Sequence, residues 1–144
     1  MLNPELRTLL AADGTPVCNV SFDLSAAQLA ACARCADAVR VTHFRGDALS
    51  TDEVLALQEL TGVTDELHRL AEHEAHGTVV LPLARFAALH DALGTWAADL
   101  DARGWAREDE QADRPMIDAL LAPMADLREQ AVRSVLVEGA SQPR

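Results

Sequence analysis

A run of regularly spaced apolar residues at positions 49–76 is the feature that most constrains the fold of this chain. It opens with Ser50 and Glu53, at the spacing of a capping box, in which serine accepts from the N3 amide and the N3 glutamate accepts from the serine amide. Three- and four-residue steps then place the apolar side chains on one helical face. These residues are Val54, Leu57, Leu60, Val63, Leu67 and Leu70. We therefore predict a long helix from Ser50 that forms the main wall of the core.

Three further helices are predicted from the same kind of pattern. Ser25 and Gln28 form a second capping box, while Pro82 and Pro115 fit the first turn of later helices, where a proline loses no hydrogen bond. Gly104 suits the end of the helix that starts near Pro82. The stripes expected to face the core are Leu29, Cys32, Ala36 and Val39; Phe86, Leu89, Leu93, Trp96 and Leu100; and Met116, Ile117, Leu120, Met124, Leu127, Ala131 and Val135.

The remaining segments are assigned from propensity and polarity. Residues 17–22, 39–44 and 78–81 are rich in β-branched side chains and are predicted to be strands. Residues 4–10 are interpreted as a brief helix that starts at a proline. The polar stretch 103–114 is predicted to be an exposed loop.

Together these elements predict a predominantly helical α+β fold, with three or four amphipathic helices packed on a small two- or three-stranded sheet. Strands that run directly into helices leave an α/β fold with a three-stranded parallel sheet as the alternative. A length of 144 residues fits one domain, which we place at 1–138, with 139–144 as a disordered tail. Pro123 is expected to kink or divide the last helix.

Charge and composition restrict the partners. The formal net charge is −11 and the arginines are spread singly among acids, so nucleic acid is not an expected partner. No apolar run reaches the ~18 residues of a membrane-spanning helix, and the N-terminus lacks a signal-peptide pattern, so we expect no membrane partner and a cytoplasmic location. The odd count of three cysteines fits reduced thiols.

One candidate metal centre combines the cysteines with a histidine. Cys32 and Cys35 share a face of the helix predicted from Ser25, with Cys18 on the strand before it and His43 on the strand after it, and this donor set could bind zinc tetrahedrally. The spacing lacks the second paired motif of standard zinc sequences. Free cysteines are often buried, so core packing is the competing interpretation. A redox role is disfavoured because the helix starts about two turns before the C-x-x-C, which removes the activating dipole.

A second candidate metal centre lies on the long helix. His68, Glu72 and His76 are spaced four residues apart, so a continuous helix would align them as ligands for a transition metal. The arrangement differs from H-E-x-x-H, which places a glutamate beside the first histidine. A solvated polar face near the helix C-terminus, where the dipole favours histidine, is the competing interpretation.

Trp105 is a candidate partner-binding residue. It follows the expected helix end at Gly104 and precedes the charged stretch, and an exposed tryptophan there could anchor a partner. Packing back over its own helix end is the competing interpretation.

The expected function is that of a small, acidic, cytoplasmic protein-interaction or regulatory protein without catalytic activity. No catalytic constellation is visible, and the amphipathic helices offer more apolar face than short strands can cover, which favours a homodimer. The acidic surface suits a basic protein partner. A zinc-binding protein or small metalloenzyme is the alternative, and no other cofactor is expected. A small-molecule binder, or an enzyme with a pocket between helix and sheet, is a third possibility that sequence does not test, because pockets are tertiary features.

Overall fold

The computed structural model describes residues 5–10, 16–44, 49–73 and 76–141, which form three strands and four helices. In chain order these elements are β1 (Glu5–Leu10), β2 (Pro16–Ser25), α1 (Ala26–His43), α2 (Thr51–His73), β3 (His76–Pro82), α3 (Leu83–Arg103) and α4 (Glu108–Ser141). Helical residues far outnumber strand residues, so the predicted α+β, predominantly helical fold is confirmed.

Strand β2 is the centre of the sheet, with β1 and β3 antiparallel to it on either side. Val20 of β2 lies opposite Leu6 of β1 and Leu81 of β3. The alternative of a parallel sheet is therefore wrong. Two helices, α1 and α2, connect β2 to β3, and the second brings the chain back to the end of the sheet where β2 finishes. A strand that starts from that end runs antiparallel to β2.

One face of the sheet packs against the helices. Alternate residues of β2 are at most 2% exposed: Cys18, Val20, Phe22 and Leu24. In β3, Val79 is buried and Val80 is 54% exposed, which is the period of two expected for a half-buried strand. Phe22 meets Phe86 of α3 edge to face, with ring centroids 5.4 Å apart. The sheet is therefore joined to the helical layer by close side-chain packing.

Helix α1 is the central helix by its burial: it contacts the other three helices as well as β2 and β3, as α3 also does, but its buried residues cover more of its circumference. It starts with the predicted capping box, in which the Gln28 amide donates to Ser25 Oγ at 3.2 Å and the Ser25 amide donates to Gln28 Oε1 at 2.9 Å. The buried residues do not keep to one face, and they are Leu29, Ala31, Cys32, Ala33, Cys35, Ala36 and Val39. A helix enclosed on most sides needs small side chains so that its neighbours can approach, and α1 supplies alanine and cysteine.

Two short segments were assigned wrongly from sequence. Residues 39–44 are not a strand, because α1 continues to His43, and residues 4–10 contain β1 rather than a helix. Val39 is 5% exposed in the core. Placing a β-branched residue in a helix costs less than ~1 kcal/mol relative to alanine, and the burial of Val39 outweighs that cost. In β1, pairing with β2 decides the conformation.

Helix α2 starts with the capping box predicted at Ser50. The Glu53 amide donates to Ser50 Oγ and the Ser50 amide donates to Glu53 Oε1, both at 3.1 Å. The second half of α2 is buried through Leu60, Val63, Leu67 and Leu70, whereas Val54 in the first half is 40% exposed. Helix α2 is thus an outer wall that covers α1 and α3, and α1 takes the central position that the sequence suggested for α2.

Helix α3 confirms its predicted stripe and its predicted end. All five stripe residues are buried: Phe86, Leu89, Leu93, Trp96 and Leu100. Gly104 has φ 80°, a conformation that glycine adopts without steric cost, and its amide donates to the Leu100 carbonyl at 3.0 Å.

Helix α4 begins at Glu108, so the loop predicted at 103–114 and the helix start predicted at Pro115 are wrong. The Gln111 amide donates to the Arg107 carbonyl at 2.9 Å, and the Arg107 amide donates to Glu110 Oε1 at 3.0 Å. These bonds make Arg107 the cap of α4 and place Glu110 at N3. Acidic residues are favoured in the first turn of a helix by its dipole, so the charged stretch is a helix start.

The two prolines do not interrupt α4. Pro115 and Pro123 lack the amides that would bond the carbonyls of Gln111 and Ala119, four residues earlier. All four residues are exposed, so water can bond those carbonyls. The division into two helices expected at Pro123 is therefore not seen in the described part of the chain.

Helix α4 is the longest element, with 34 residues, or about 51 Å at ~1.5 Å per residue. Its buried residues follow steps of three and four and are Glu110, Asp113, Ile117, Leu120, Met124, Leu127 and Ala131. The helix backbone reaches Ser141, within the tail predicted at 139–144, and residues 142–144 lie outside the described residues.

We expect a larger side chain at Ala36 to destabilise the fold, because this residue is 0% exposed in the most enclosed helix. Ala36→Leu should lower the free energy of unfolding by about 1–3 kcal/mol through overpacking. Ala38→Leu, at an exposed position of the same helix, is the control and should change it by less than about 0.5 kcal/mol. Urea unfolding followed by circular dichroism measures both. Equal losses in the two variants would contradict the central position of α1.

Candidate functional site

The three cysteines are free thiols in the core. Cys18 lies on β2, and Cys32 and Cys35 lie on α1, each at most 1% exposed. Burial, helped by the negative charge of Asp113, raises the pKa of Cys32 to about 12 and also raises the pKa of Cys35. The thiolate is the reactive form, so these environments disfavour a nucleophilic role for Cys32 and Cys35 and match packing in the core.

Asp113, the acid near these thiols, is itself 6% exposed. Arg34 holds it with two hydrogen bonds, from Nε to Oδ2 at 3.0 Å and from Nη2 to Oδ1 at 2.7 Å. This bidentate pair joins α1 to α4. Removing Arg34 would leave a buried carboxylate without its counter-charge, which is costly. The pair therefore holds the helices together, and both carboxylate oxygens are already bonded.

His43 does not lie where the sequence predicts. It is the last residue of α1 rather than part of a following strand, and its Nε2 is 2.7 Å from Asp99 Oδ2 on α3. Within residues 5–10, 16–44, 49–73 and 76–141, no three histidine, cysteine or acidic side chains are placed to hold a metal ion. The candidate zinc set is thus not brought together. Its members are Cys18, Cys32, Cys35 and His43.

The second candidate metal set is divided between two elements. His68 and Glu72 are exposed on α2, whereas His76 belongs to β3 and its side chain lies outside the described residues. The prediction that one helix aligns all three is therefore wrong. His68 Nε2 lies 2.5 Å from Asp37 Oδ2 of α1, and this contact joins α2 to α1.

Folded protein should react with a thiol reagent far more slowly than unfolded protein, because all three cysteines are buried. Ellman's reagent at pH 8 should label all three thiols in guanidinium chloride and should label native protein only as fast as it unfolds. The thionitrobenzoate absorbance measures both rates. EDTA should leave the native rate unchanged; faster labelling after chelation would show a metal-protected thiol site. Rapid labelling of native protein would contradict the buried placement.

Trp105 is exposed at the turn between α3 and α4. Its side chain is 62% exposed, although one face of the indole contacts Arg103, the last residue of its own helix. A cavity of about 460 Å³ lies beside the indole. We call this site, with its lining, the Trp105 corner. The lining residues are Leu100, Asp101, Gly104, Trp105, Ala106, Gln111, Arg114 and Pro115.

Arg103 fixes Trp105 in place. The guanidinium carbon of Arg103 lies 4.0 Å from the indole centroid, and its Nε donates to the Trp105 carbonyl at 2.9 Å. Its Nη2 donates to Glu110 Oε1 at 2.5 Å. Burial disfavours the charge on Glu110, but the Arg107 amide and the Arg103 side chain outweigh it, so the pKa of Glu110 lies below its ordinary value. Glu110 is therefore a carboxylate at neutral pH. It bonds Arg103, and Arg103 in turn contacts the indole of Trp105.

A second cavity, of about 370 Å³, lies between the C-terminal half of α1 and α3. We call it the α1–α3 cavity. Its lining combines apolar and polar side chains from α1, α3 and α4, and consists of Ala38, Val39, Thr42, His43, Trp96, Asp99, Leu100, Arg103 and Glu110. A smaller cavity of about 210 Å³ shares Val39 and His43 with it.

Sequence reasoning missed the α1–α3 cavity, because its lining comes from positions 38 to 110 and follows no local pattern. One local signal was present. If the acids after Arg107 had been interpreted as a helix start, Glu110 would have been placed at N3, facing back towards the end of α3.

Nine arginines, at positions 34 to 133, are each paired with an acid. The pairs are Arg34–Asp113, Arg40–Asp37, Arg69–Glu66, Arg85–Glu59, Arg103–Glu110, Arg107–Asp109, Arg114–Asp101, Arg128–Asp91 and Arg133–Glu129. Their positive charges are thus neutralised locally. The sign of the field around these residues is set by the excess of acids.

No protein-family model, curated protein or solved structure matches the chain. Among the described helices, none combines the length and apolar character that crossing a lipid bilayer requires. The activity of the chain must therefore be argued from its own surfaces.

Proposed function

We propose that this chain is a protein-interaction protein without catalytic activity, and that it docks a basic segment of another protein at the Trp105 corner. The main supporting observation is an indole that is 62% exposed and yet stacked on the Arg103 guanidinium. Tryptophan and arginine are the residues most enriched among those that dominate binding energy at protein interfaces.

The fixed position of Trp105 favours binding. Arg103 contacts both its ring and its carbonyl, so the side chain has little freedom left to lose when a partner covers it. Leu100 and Pro115 give the neighbouring cavity an apolar wall. An apolar side chain of a partner can enter this cavity while the partner backbone passes over the indole.

The charges around the corner favour a basic partner. Asp101 and Asp109 are 71% and 63% exposed, and each is paired with an arginine, Arg114 and Arg107 respectively. The attraction for a basic partner therefore comes from the excess of acids over the whole chain, which carries a formal charge of −11. Such a field accelerates encounter with a basic protein and repels phosphate-rich partners such as nucleic acid.

A reducing, cytoplasmic setting forms part of this proposal. None of the three cysteines forms a disulfide, and all three lie in the core. Thiols persist in this state where the compartment keeps cysteines reduced.

Phage-displayed random peptides panned against the full chain should yield basic sequences with an apolar residue, because the corner combines acids with an apolar cavity. For a selected peptide, Trp105→Ala should weaken binding about thirtyfold, the loss of about 2 kcal/mol typical of an interface anchor. Leu55→Ala, which removes an exposed apolar side chain on α2, is the matched control and should bind like wild type. Fluorescence anisotropy of labelled peptide measures the affinities, which should fall with added salt.

Enrichment of acidic peptides would argue against charge complementarity. Equal affinity of the Trp105→Ala and Leu55→Ala variants would place the docking surface elsewhere and remove the corner from the proposal.

Self-association is a second candidate, favoured by the outer flank of α4. Val132 and Leu136, one helical turn apart, are 42% and 67% exposed. The ion pair between Arg133 and Glu129 lies on this part of α4 and is neutral as a pair. Two copies of a chain with charge −11 repel each other least where the surface is locally neutral. We propose that α4 packs against α4 of a second copy about a two-fold axis.

Light scattering during gel filtration should give a mass twice the 15.5 kDa of one chain at micromolar concentration. Val132→Glu with Leu136→Glu should give monomers, because the contact would then bury unpaired charges. Leu55→Glu adds a charge at an exposed site on α2 and should leave the mass unchanged. A monomeric wild-type protein would remove the homodimer and leave the docking proposal untouched.

A further inference from the structure

We propose that the α1–α3 cavity binds an organic cation, an ammonium or guanidinium group carried on a short apolar chain. The volume of about 370 Å³ is within the range of small-molecule sites. Two acids line it, Asp99 from α3 and Glu110 from α4. The indole of Trp105 does not line this cavity, so the cavity and the Trp105 corner are two separate sites.

Glu110 is the acid inside the cavity. Its side chain is 10% exposed, and its Oε1 accepts both from Arg103 Nη2 and from the Arg107 amide. Its Oε2 accepts no hydrogen bond from the described residues. Among those residues, Arg40 Nε is the only side-chain nitrogen or oxygen that is both buried and without a hydrogen-bond partner. Because Glu110 Oε2 also lacks a partner, it is not buried, and solvent or a ligand can reach it. A carboxylate oxygen with unused lone pairs, on a side chain that is otherwise enclosed, is an acceptor that a cationic N–H donor satisfies best.

Asp99 provides a second acceptor nearer to solvent. Its side chain is 48% exposed, and its Oδ2 contacts His43 Nε2 at 2.7 Å. Its Oδ1 has no hydrogen-bond partner in the described part of the chain. A ligand cation can therefore meet one carboxylate at the mouth of the cavity and another inside it.

The rest of the lining selects the kind of cation. Val39, Trp96 and Leu100 form an apolar wall that suits methylene groups. The Thr42 hydroxyl donates to the Ala38 carbonyl at 2.7 Å, so its hydrogen is already used. In the described residues no three donor side chains are placed for a metal ion. The Arg103 guanidinium also lines the cavity, bonded to Glu110, so two acids face one permanent cation and the lining still repels anions. An amine or guanidine with an apolar chain fits all of these features.

Binding in the cavity is coupled to the Trp105 corner. Glu110 is shared, because its carboxylate lines the cavity and also holds Arg103, whose guanidinium lies 4.0 Å from the indole centroid. A cation at Glu110 Oε2 competes with Arg103 for the same carboxylate. Occupancy should therefore loosen Arg103 and change the environment of Trp105.

The test uses the full chain, labelled with nitrogen-15 and titrated with n-butylamine or butylguanidine. Both cations should give saturable shifts at the Thr42 and His43 amides and at the Trp96 indole, and should change Trp105 emission. Butan-1-ol and butyrate, which match the chain but not the charge, should not. Glu110→Gln should weaken binding about tenfold or more, and Asp99→Asn about threefold. Asp126→Asn removes the same charge from the exposed side of α4 and should bind like wild type.

Equal shifts with butan-1-ol would overturn the cation site, as would Glu110→Gln and Asp99→Asn variants that bind like Asp126→Asn. If Glu110→Gln does not fold, Asp99→Asn, at an exposed position, decides the result alone.

Trp105→Ala should keep butylamine binding, which separates this result from the docking test. The source of the cation is tested with a capped tripeptide that has a central lysine, compared with the same tripeptide in which norleucine replaces the lysine. Binding by the lysine peptide supports a protein side chain as the cation, and binding by the free amine alone supports a small molecule.

Discussion

The packing of other elements around α1 is the constraint on which the rest of the structure depends. An amphipathic helix with one apolar stripe fixes its neighbours on one side only, whereas seven of the eighteen residues of α1 are buried and point in several directions. Alanine and cysteine keep the helix thin enough for the sheet and three helices to contact it. Interiors are close-packed, so the position of each neighbour is set relative to α1. Helix α2 has the clearest sequence pattern, but its position in the fold follows from its packing against α1.

Charged pairs complete the contacts where the apolar surface of α1 ends. Arg34 reaches Asp113 at the start of α4, and His43 reaches Asp99 on α3. Such pairs contribute modestly to stability when they are exposed, but removing one partner of a buried pair is costly. Their main effect is to fix the register of the helices around α1. The same polar edge lines the α1–α3 cavity, so the residues that orient the helices also give the cavity its charge.

Local signals predicted local structure, and tertiary contacts decided the rest. The capping boxes at Ser25 and Ser50 involve residues three apart, so they were visible in the sequence and the structure contains both. Residues 39–44 have the propensity of a strand, yet burial of Val39 keeps that region in α1. The acids near Glu110 were interpreted as a loop, although the three-residue step from Arg107 to Glu110 is a local sign of a helix start. The bond from Arg103 of α3 to Glu110 crosses the turn and follows no local pattern. The cavity joins residues more than seventy positions apart, since Ala38 and Glu110 line the same space, and no periodicity reports such a meeting.

One carboxylate connects the two proposed surfaces, and thermodynamics fixes the sign of their coupling. Glu110 holds Arg103 with one oxygen and leaves the other open to the α1–α3 cavity. If a bound cation weakens the contact between Glu110 and Arg103, it releases the side chain that orients Trp105, and docking at the corner loses part of its preorganisation. Linkage is reciprocal, so a docked partner that holds Trp105 and Arg103 in place must weaken cation binding by the same factor. The two ligands are therefore antagonists on this protein, even though Trp105 itself does not line the cavity.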